Sequence, residues 1–238
     1  MRKVLGLVGA AVLLAGPALA ADLGKPVYKA PPPVVPVFSW TGFYIGAQGG
    51  GAWGDSVQTF HTGLVSGTTG RYDISGGEAG GTVGYNWEFA PRIVLGIESD
   101  YSWAHISGTG HSSPTYNCGT ICATTVDSLG TVRGRLGYAF DNRVLLYGTG
   151  GLAFSRINSD LNTFTQANNR SGWTAGAGIE YAFDPHWSAK LEYLHVNYDS
   201  YVWTNATVPG LIGCAGINCS TDAKFNVVRA GVNFKLWP

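Results

Sequence analysis

From Ser39 onward, apolar and polar positions alternate with a period of two, interrupted by short turns and longer polar runs. Three stretches share one design: "GYNWEFAPRIVLGIE" (84–98), "GYAFDNRVLLYG" (137–148) and "IEYAFDPHWSAKLEY" (179–193). Each carries alternation up to an aromatic, across a turn rich in Pro, Asp or Asn, and back into alternation, which is the pattern of a tight β-hairpin. Runs rich in Gly, Ser, Thr and Asn at about 54–74, 105–124, 158–170 and 199–222 read as long loops. Strands are predicted at about 39–53, 75–89, 92–104, 125–140, 143–157, 171–183, 187–198 and 223–237. Most exceed the ~5–6 residues usual in globular sheets and match or exceed the ~9–11 that cross a bilayer at a tilt. The expected fold is all-β: an eight-stranded antiparallel transmembrane β-barrel of up-and-down topology, with short turns at one end and long loops at the other.

Residues two apart on a strand share a face, so the faces can be read separately. Val83, Tyr85, Trp87 and Phe89 oppose Glu78, Thr82, Asn86 and Glu88. Ile93, Leu95, Ile97, Tyr101 and Trp103 oppose Glu98, Asp100 and Ser102, and Val132, Leu136, Tyr138 and Phe140 oppose Asp127, Thr131, Arg133 and Arg135. Trp173, Ile179, Tyr181 and Phe183 oppose Thr174 and Glu180, while Trp187, Leu191 and Tyr193 oppose Lys190 and Glu192. On the last strand Val228, Val232, Phe234 and Leu236 oppose Arg229, Asn233 and Lys235. One face is nearly charge-free, with aromatics near the strand ends, as lipid-facing girdles require. The other is glycine plus a balanced handful of charges, too sparse to coat a water-soluble barrel. The reading is a barrel polar within and apolar without. The fifth strand has apolar residues on both phases, Val144, Leu146, Leu152 and Phe154 against Leu145, Tyr147 and Ala153; Gly150-Gly151 is a candidate phase-switching bulge, and the facing stays undecided.

A charge in a narrow interior is costly unless paired. Glu78, Glu98, Asp100, Arg133, Arg135, Glu180, Lys190, Glu192 and Arg229 are therefore expected to form a hydrogen-bonded ladder of alternating sign. An eight-stranded interior is just wide enough for side chains to fill, which favours a packed ladder over a water-filled channel of solvated charges. A narrow porin stays open, because the pattern does not show whether a water path passes the ladder.

Composition supports a membrane setting. Charged residues make up 13% of the chain, about half of the ~25% typical of soluble domains. Residues 1–20 read as a signal peptide, with basic Arg2 and Lys3, an apolar run from Val4 to Leu14 and a small-residue cleavage site at Ala18-Leu19-Ala20. Residues 21–38, with five prolines, read as an extended periplasmic tether ahead of a barrel over 39–238. Without the signal the chain holds 13 basic and 15 acidic residues, a formal charge of −2, which argues against a nucleic-acid partner. Cys118, Cys122, Cys214 and Cys219 follow an export signal, so disulfides are expected. Close spacing favours Cys118–Cys122 and Cys214–Cys219, and neither spacing matches a common zinc-finger pattern.

Catalytic patterns are weak. His61 and His111 fall in expected loops, His105 just beyond a strand and His186 in a turn; His195 alone lies within a strand, beside Asn197 and Ser200. A Ser–His lipid-modifying site would need a positioned pair, and none is evident, so no enzyme activity is expected. "GTGGLAF" has glycines without Lys-Ser/Thr or a following helix, so it is no phosphate loop. No cofactor or metal is expected.

The blocks "FSWTGFYIGAQGGGAWG", "GYNWEF", "GIESDYSW", "GTVRGRLGYAF", "YGTGGLAF", "AGAGIEYAF", "KLEYLHV" and "VVRAGVNFKL" resemble the outer-membrane immunogenic proteins of alphaproteobacteria. These are porin-like small surface antigens related to the opacity-protein and enterobacterial eight-stranded barrels. The resemblance covers essentially the whole mature chain and implies an abundant structural protein and antigen in the outer membrane of a Gram-negative bacterium. The resemblance implies porin-like or ligand-binding roles for some members, and the long polar loops are themselves a natural place for adhesion or ligand capture. Implied partners are outer-membrane lipid and lipopolysaccharide, the barrel insertion machinery, and host or environmental surface ligands met by the loops. One departure stands out: family chains usually finish on an aromatic, most often Phe, which the insertion machinery reads, whereas "NFKLWP" finishes Leu236-Trp237-Pro238.

Overall fold

A computed structural model describes residues 38–61, 66–110, 122–141, 143–161, 164–199, 201–203 and 218–236. The expected signal peptide, all but the last residue of the tether, His111, Cys118, Ser200, Cys214 and the final Trp237-Pro238 lie outside them. So do the side chains of Cys122 and Cys219, and with them the expected cysteine pairing.

The strands run β1 (Gly42–His61), β2 (Ser66–Ala90), β3 (Ile93–Gly110), β4 (Cys122–Ala139), β5 (Val144–Leu161), β6 (Phe164–Ala182), β7 (Trp187–Tyr198), β8 (Tyr201–Trp203) and β9 (Asn218–Lys235). The short β8 pairs on β9. The other eight pair antiparallel with their neighbours, and β9 pairs with both β7 and β1, closing an eight-stranded barrel. The tight turns fall where the aromatic-Pro/Asp/Asn pattern places them. Two of them use a non-glycine residue in the left-handed region, Arg92 at φ 72° and Arg143 at φ 62°. Arg92 also donates to Asp141 at 2.7 and 2.8 Å, joining two adjacent turns.

Outward positions form an apolar belt. On β1 it runs from Phe43 through Ile45 to Trp53, and on β6 from Tyr181 through Ile179 to Trp173, all exposed. Ten residues of tilted strand rise roughly 25 Å, the height of a bilayer's apolar band. Above the belt the strands continue, contrary to the loops expected at 54–74 and 158–170. Val57 pairs with Arg71 and Phe60 with Gly67 across β1–β2, and Asp160 with Thr165 across β5–β6. From Trp53 to His61 this extension rises roughly 20 Å farther.

The extension escapes the sequence pattern because the rule of apolar outside and polar inside ends there. Within the belt the outward residues are apolar. Above it Arg71 and Asp73 face outward on β2 while Tyr72 and Ile74 are buried inside. On β7 the switch comes after Tyr193, where Leu194, Val196 and Tyr198 take the inside. With Ile106, Leu129, Ile157, Phe225 and Val227 they form an apolar core filling the loop end of the barrel. The interior is therefore not polar throughout, as expected: its paired charges lie in the middle layer, and the loop end packs apolar side chains around buried Ser56, Gln58 and Thr124, which share hydrogen bonds with each other and with Tyr72.

This layering settles β5. Leu145, Tyr147, Ala153 and Ile157 face inward and Leu146, Leu152 and Phe154 outward, on one unbroken phase. No bulge occurs at Gly150-Gly151, which pair in register with Gly134 and Arg133. The phase switch is instead on β4, where the register slips between Val126 and Ser128. Thr124 and Val126 are buried before it, Leu129, Thr131 and Arg133 after it. Asp127, expected inside, is turned to the outer face and accepts a hydrogen bond from Asn158. A bulge here keeps a carboxylate at the wet rim while the strand still fills the core on both sides.

A small barrel coils its strands tightly, and inward glycine makes room for that. A Cβ on Gly80 would collide with the Tyr101 carbonyl oxygen of the neighbouring strand, whereas one on outward Gly81 would find its nearest atom at 3.6 Å.

Candidate functional site in the barrel lumen

The middle layer of the interior is a lattice of charges. Inward phase on β3 delivers Glu98 and Asp100, on β4 Arg133 and Arg135, on β6 Glu180, on β7 Lys190 and Glu192, and on β9 Arg229, all buried. Arg133 lies at the centre. Its guanidinium donates to Glu98, to Asp100 at 2.9 Å and to Glu192 at 2.9 Å, while its Nε donates to Thr131 at 2.8 Å. Arg229 reaches Asp100 at 3.0 Å and Glu192 at 2.7 Å. Lys190 donates to Glu98 at 3.0 Å, and Arg135 to Glu180 at 2.7 Å.

Four acids thus meet four bases, each acid touching at least one cation. The arrangement branches rather than forming a ladder. Glu98–Lys190 joins β3 to β7, Arg133–Glu192 joins β4 to β7, and Asp100–Arg229 joins β3 to β9. None of these pairs is adjacent in the sheet, so each is a strut across the lumen. A carboxylate and a guanidinium taken from water repay their desolvation only when further hydrogen bonds complete them. Here Tyr44 donates to Glu98 at 2.8 Å, Tyr147 to Glu192 at 3.1 Å, and Ser188 and Asn233 to Glu180. The Arg135 guanidinium lies 3.9 Å from the Tyr147 ring centroid.

Glu78, the ninth residue assigned to the network, is buried on β2 but makes no hydrogen bond or ion pair with it. Lys235, on the same inward phase as Arg229, reaches the Ser39 carbonyl oxygen at 2.6 Å instead. That contact belongs to a stopper at the turn end, which the pattern of the chain did not reveal. Trp40 is buried against Val94, Ala139, Leu145, Tyr147 and Ala182, with Phe38 packed beside it. Glu88 holds this segment by accepting from Ser39 Oγ and Trp40 N, each at 3.1 Å. Tyr44 and Tyr147 carry no such signal either: each has apolar neighbours in sequence, so nothing in the pattern marks its hydroxyl as part of a polar lattice.

The histidines do not assemble a site among the described residues. His195 faces outward, its Nδ1 2.9 Å from Asn226 Oδ1 and its ring 5.6 Å from that of Trp173. His186 stacks on Phe234 at the turn end. No group of three or more His, Cys, Asp or Glu side chains is placed to hold a metal among the described residues.

Comparison with known proteins agrees with this architecture. The profile of the outer membrane protein beta-barrel domain matches residues 8–235. The chain is 34% identical to the 31 kDa outer-membrane immunogenic protein of Brucella melitensis, over 99% of this chain and 100% of that one. It is 34% identical to a 22 kDa outer membrane protein of Rhizobium leguminosarum bv. viciae, over 71% and 69% of the two chains. The crystal structure of the outer membrane protein OprG from Pseudomonas aeruginosa superposes with a TM-score of 0.51 at 12% identity, covering 83% of this chain and 98% of that one. An apolar belt of bilayer height, a closed eight-stranded wall with buried charges, and a family match along nearly the whole chain together make this a member of the outer membrane protein beta-barrel domain family, resident in the Gram-negative outer membrane.

Proposed function

We propose that the protein is a sealed, non-catalytic structural barrel that displays its strand extension as a surface antigen. The observation that carries this reading is the filling of the lumen at three successive levels. Trp40 and Phe38 occupy the turn end, the Arg133-centred lattice the middle, and Phe225, Leu129 and Ile106 the loop end. A porin needs a continuous water path, and each level blocks one by different chemistry. The polar outer face of the extension, with Asp55, Arg71 and Asp73, supports display, as do relatives named as immunogenic proteins. Outer-membrane lipid and lipopolysaccharide surround the belt in this reading. The test is single-channel recording in planar bilayers, with insertion verified by heat-modifiable mobility. Inserted protein without conductance steps supports the sealed barrel; steady, salt-dependent steps overturn it in favour of a small porin.

A further inference from the structure

Where β3, β4, β5 and β6 leave the apolar belt toward the loop end, an open groove of about 760 Å³ is cut into the outer wall. Strand register accounts for it. Gly130 of β4 pairs with Tyr101 of β3 on one side and with Phe154 of β5 on the other, and Phe154 pairs in turn with Ser171 of β6. Two exposed aromatics thus flank a residue with no side chain. Gly130 lies on the outward phase yet is buried at the bottom of the slot, and a Cβ there would meet nothing nearer than Tyr101 at 3.5 Å. The space over Gly130 is therefore open rather than filled by its neighbours. Trp103 braces the Tyr101 wall edge-on, with ring centroids 6.1 Å apart.

The two ends of the groove differ in chemistry. The lower end meets Val132, within the belt, and the upper end meets Arg156. On the outward phase of β5, above Leu146, Leu152 and Phe154, Arg156 is the first charge. Its backbone N–H donates to Ser128 Oγ at 3.3 Å, and its side chain is exposed. Arg71, at the same rim on β2, pairs with Asp55 at 3.4 Å, whereas the Arg156 guanidinium makes no ion pair among the described residues. Asp127, the nearest acid in register, accepts a hydrogen bond from Asn158 instead. An apolar slot that continues the lipid-facing belt thus ends on an unpaired guanidinium at headgroup level. Guanidinium binds phosphate oxygens in a planar, two-pronged geometry, and an aliphatic chain suits a slot walled by aromatic rings.

We propose that this groove seats one phosphorylated glycolipid of the outer leaflet, with an acyl chain over Gly130 between Tyr101 and Phe154 and a phosphate on Arg156. The inference rests on the lipid contact of the reading above and not on the sealed lumen, so conductance steps would leave it standing. The test is native mass spectrometry and thermal unfolding of the refolded protein in detergent, titrated with lipid A or with its dephosphorylated form. Wild type is expected to retain one lipid A per barrel and to gain unfolding temperature saturably. It should bind the dephosphorylated form at least about ten-fold more weakly, the factor lost with one charge-assisted hydrogen bond. Arg156→Gln should lose the same factor and no longer distinguish the two lipids. Gly130→Leu, which fills the slot, should weaken both lipids while keeping heat-modifiable mobility. Lys224→Gln, which removes an exposed cation on the opposite wall, should stay within about two-fold of wild type, as expected for a surface charge remote from the site. Wild-type affinity for lipid A in Arg156→Gln or in Gly130→Leu, or a loss in Lys224→Gln as large as that in Arg156→Gln, overturns the site.

Discussion

Replacing Arg133 by Met keeps most of the side-chain stem and deletes one charge from the middle of the lattice. The guanidinium is fully buried and serves Glu98, Asp100 and Glu192. Without it Glu98 keeps Lys190 at 3.0 Å, but Asp100 and Glu192 must share Arg229. One buried negative charge is then uncompensated. Breaking a buried pair in this way costs about 3–5 kcal/mol, or roughly 6–20 °C in Tm for a domain of this size. Equilibrium urea unfolding of the refolded barrel, read by tryptophan fluorescence and by heat-modifiable mobility, measures the loss. Adding Glu192→Gln restores the charge count, so the double variant should be more stable than the sum of the two single losses by at least about 1.5 kcal/mol. An Arg133→Met barrel within about 1 kcal/mol of wild type, or strictly additive losses, would refute the argument that the lattice is desolvated and mutually compensated.

Phe225→Ala should cost about 3–5 kcal/mol, the usual loss for emptying a buried aromatic site. Its urea midpoint should fall as far as that of a core variant in a soluble protein, although Phe225 stands above the membrane belt. Gly80→Ala, where the added Cβ meets the Tyr101 carbonyl, should destabilise by about 1–3 kcal/mol. Gly150→Ala, with its nearest neighbour at 3.6 Å, should stay within about 0.5 kcal/mol of wild type; equal effects at both sites would argue against the tight coiling of β2. Trp40→Ala should remove about 3–5 kcal/mol and speed the reaction of a cysteine placed at Tyr147 with a thiol reagent. An unchanged labelling rate would mean that the stopper does not close the turn end.

Where strand pairing was readable in the chain, it was readable because one rule held: lipid outside, polarity inside. The belt portions of β2, β3, β6 and β7 obey it, and their alternation and turns place them within a few residues. The rule fails twice for physical reasons. Above the belt the solvent outside becomes water while the interior mixes apolar Tyr72 and Ile74 with polar Ser56 and Gln58, so "DSVQTFHTGLVSGTTGRYD" looks like a loop although most of it is paired strand. On β5 the inward positions pass through all three interior layers, from Leu145 through Thr149 to Ile157, and no single-phase pattern can describe them. Alternation alone puts Asp127 inside, but one extra residue on β4 reverses every facing beyond it. Inward charges could be assigned from phase alone. Which of them touch could not, since the struts join strands that are far apart in order and Glu78 shares its phase with paired neighbours.

The seam between β1 and β9 binds the first strand of the barrel to the last, from Tyr44 beside Lys235 to His61 beside Asn218. Until β9 docks, that edge of β1 has no strand to pair with. Arg229 arrives on that final strand, and Asp100 and Glu192 regain a full complement of positive charge only when it docks. Closure is therefore an electrostatic event as much as a geometric one: without β9 the wall lacks its seam and the lattice its Arg229 counter-charge, and one strand supplies both.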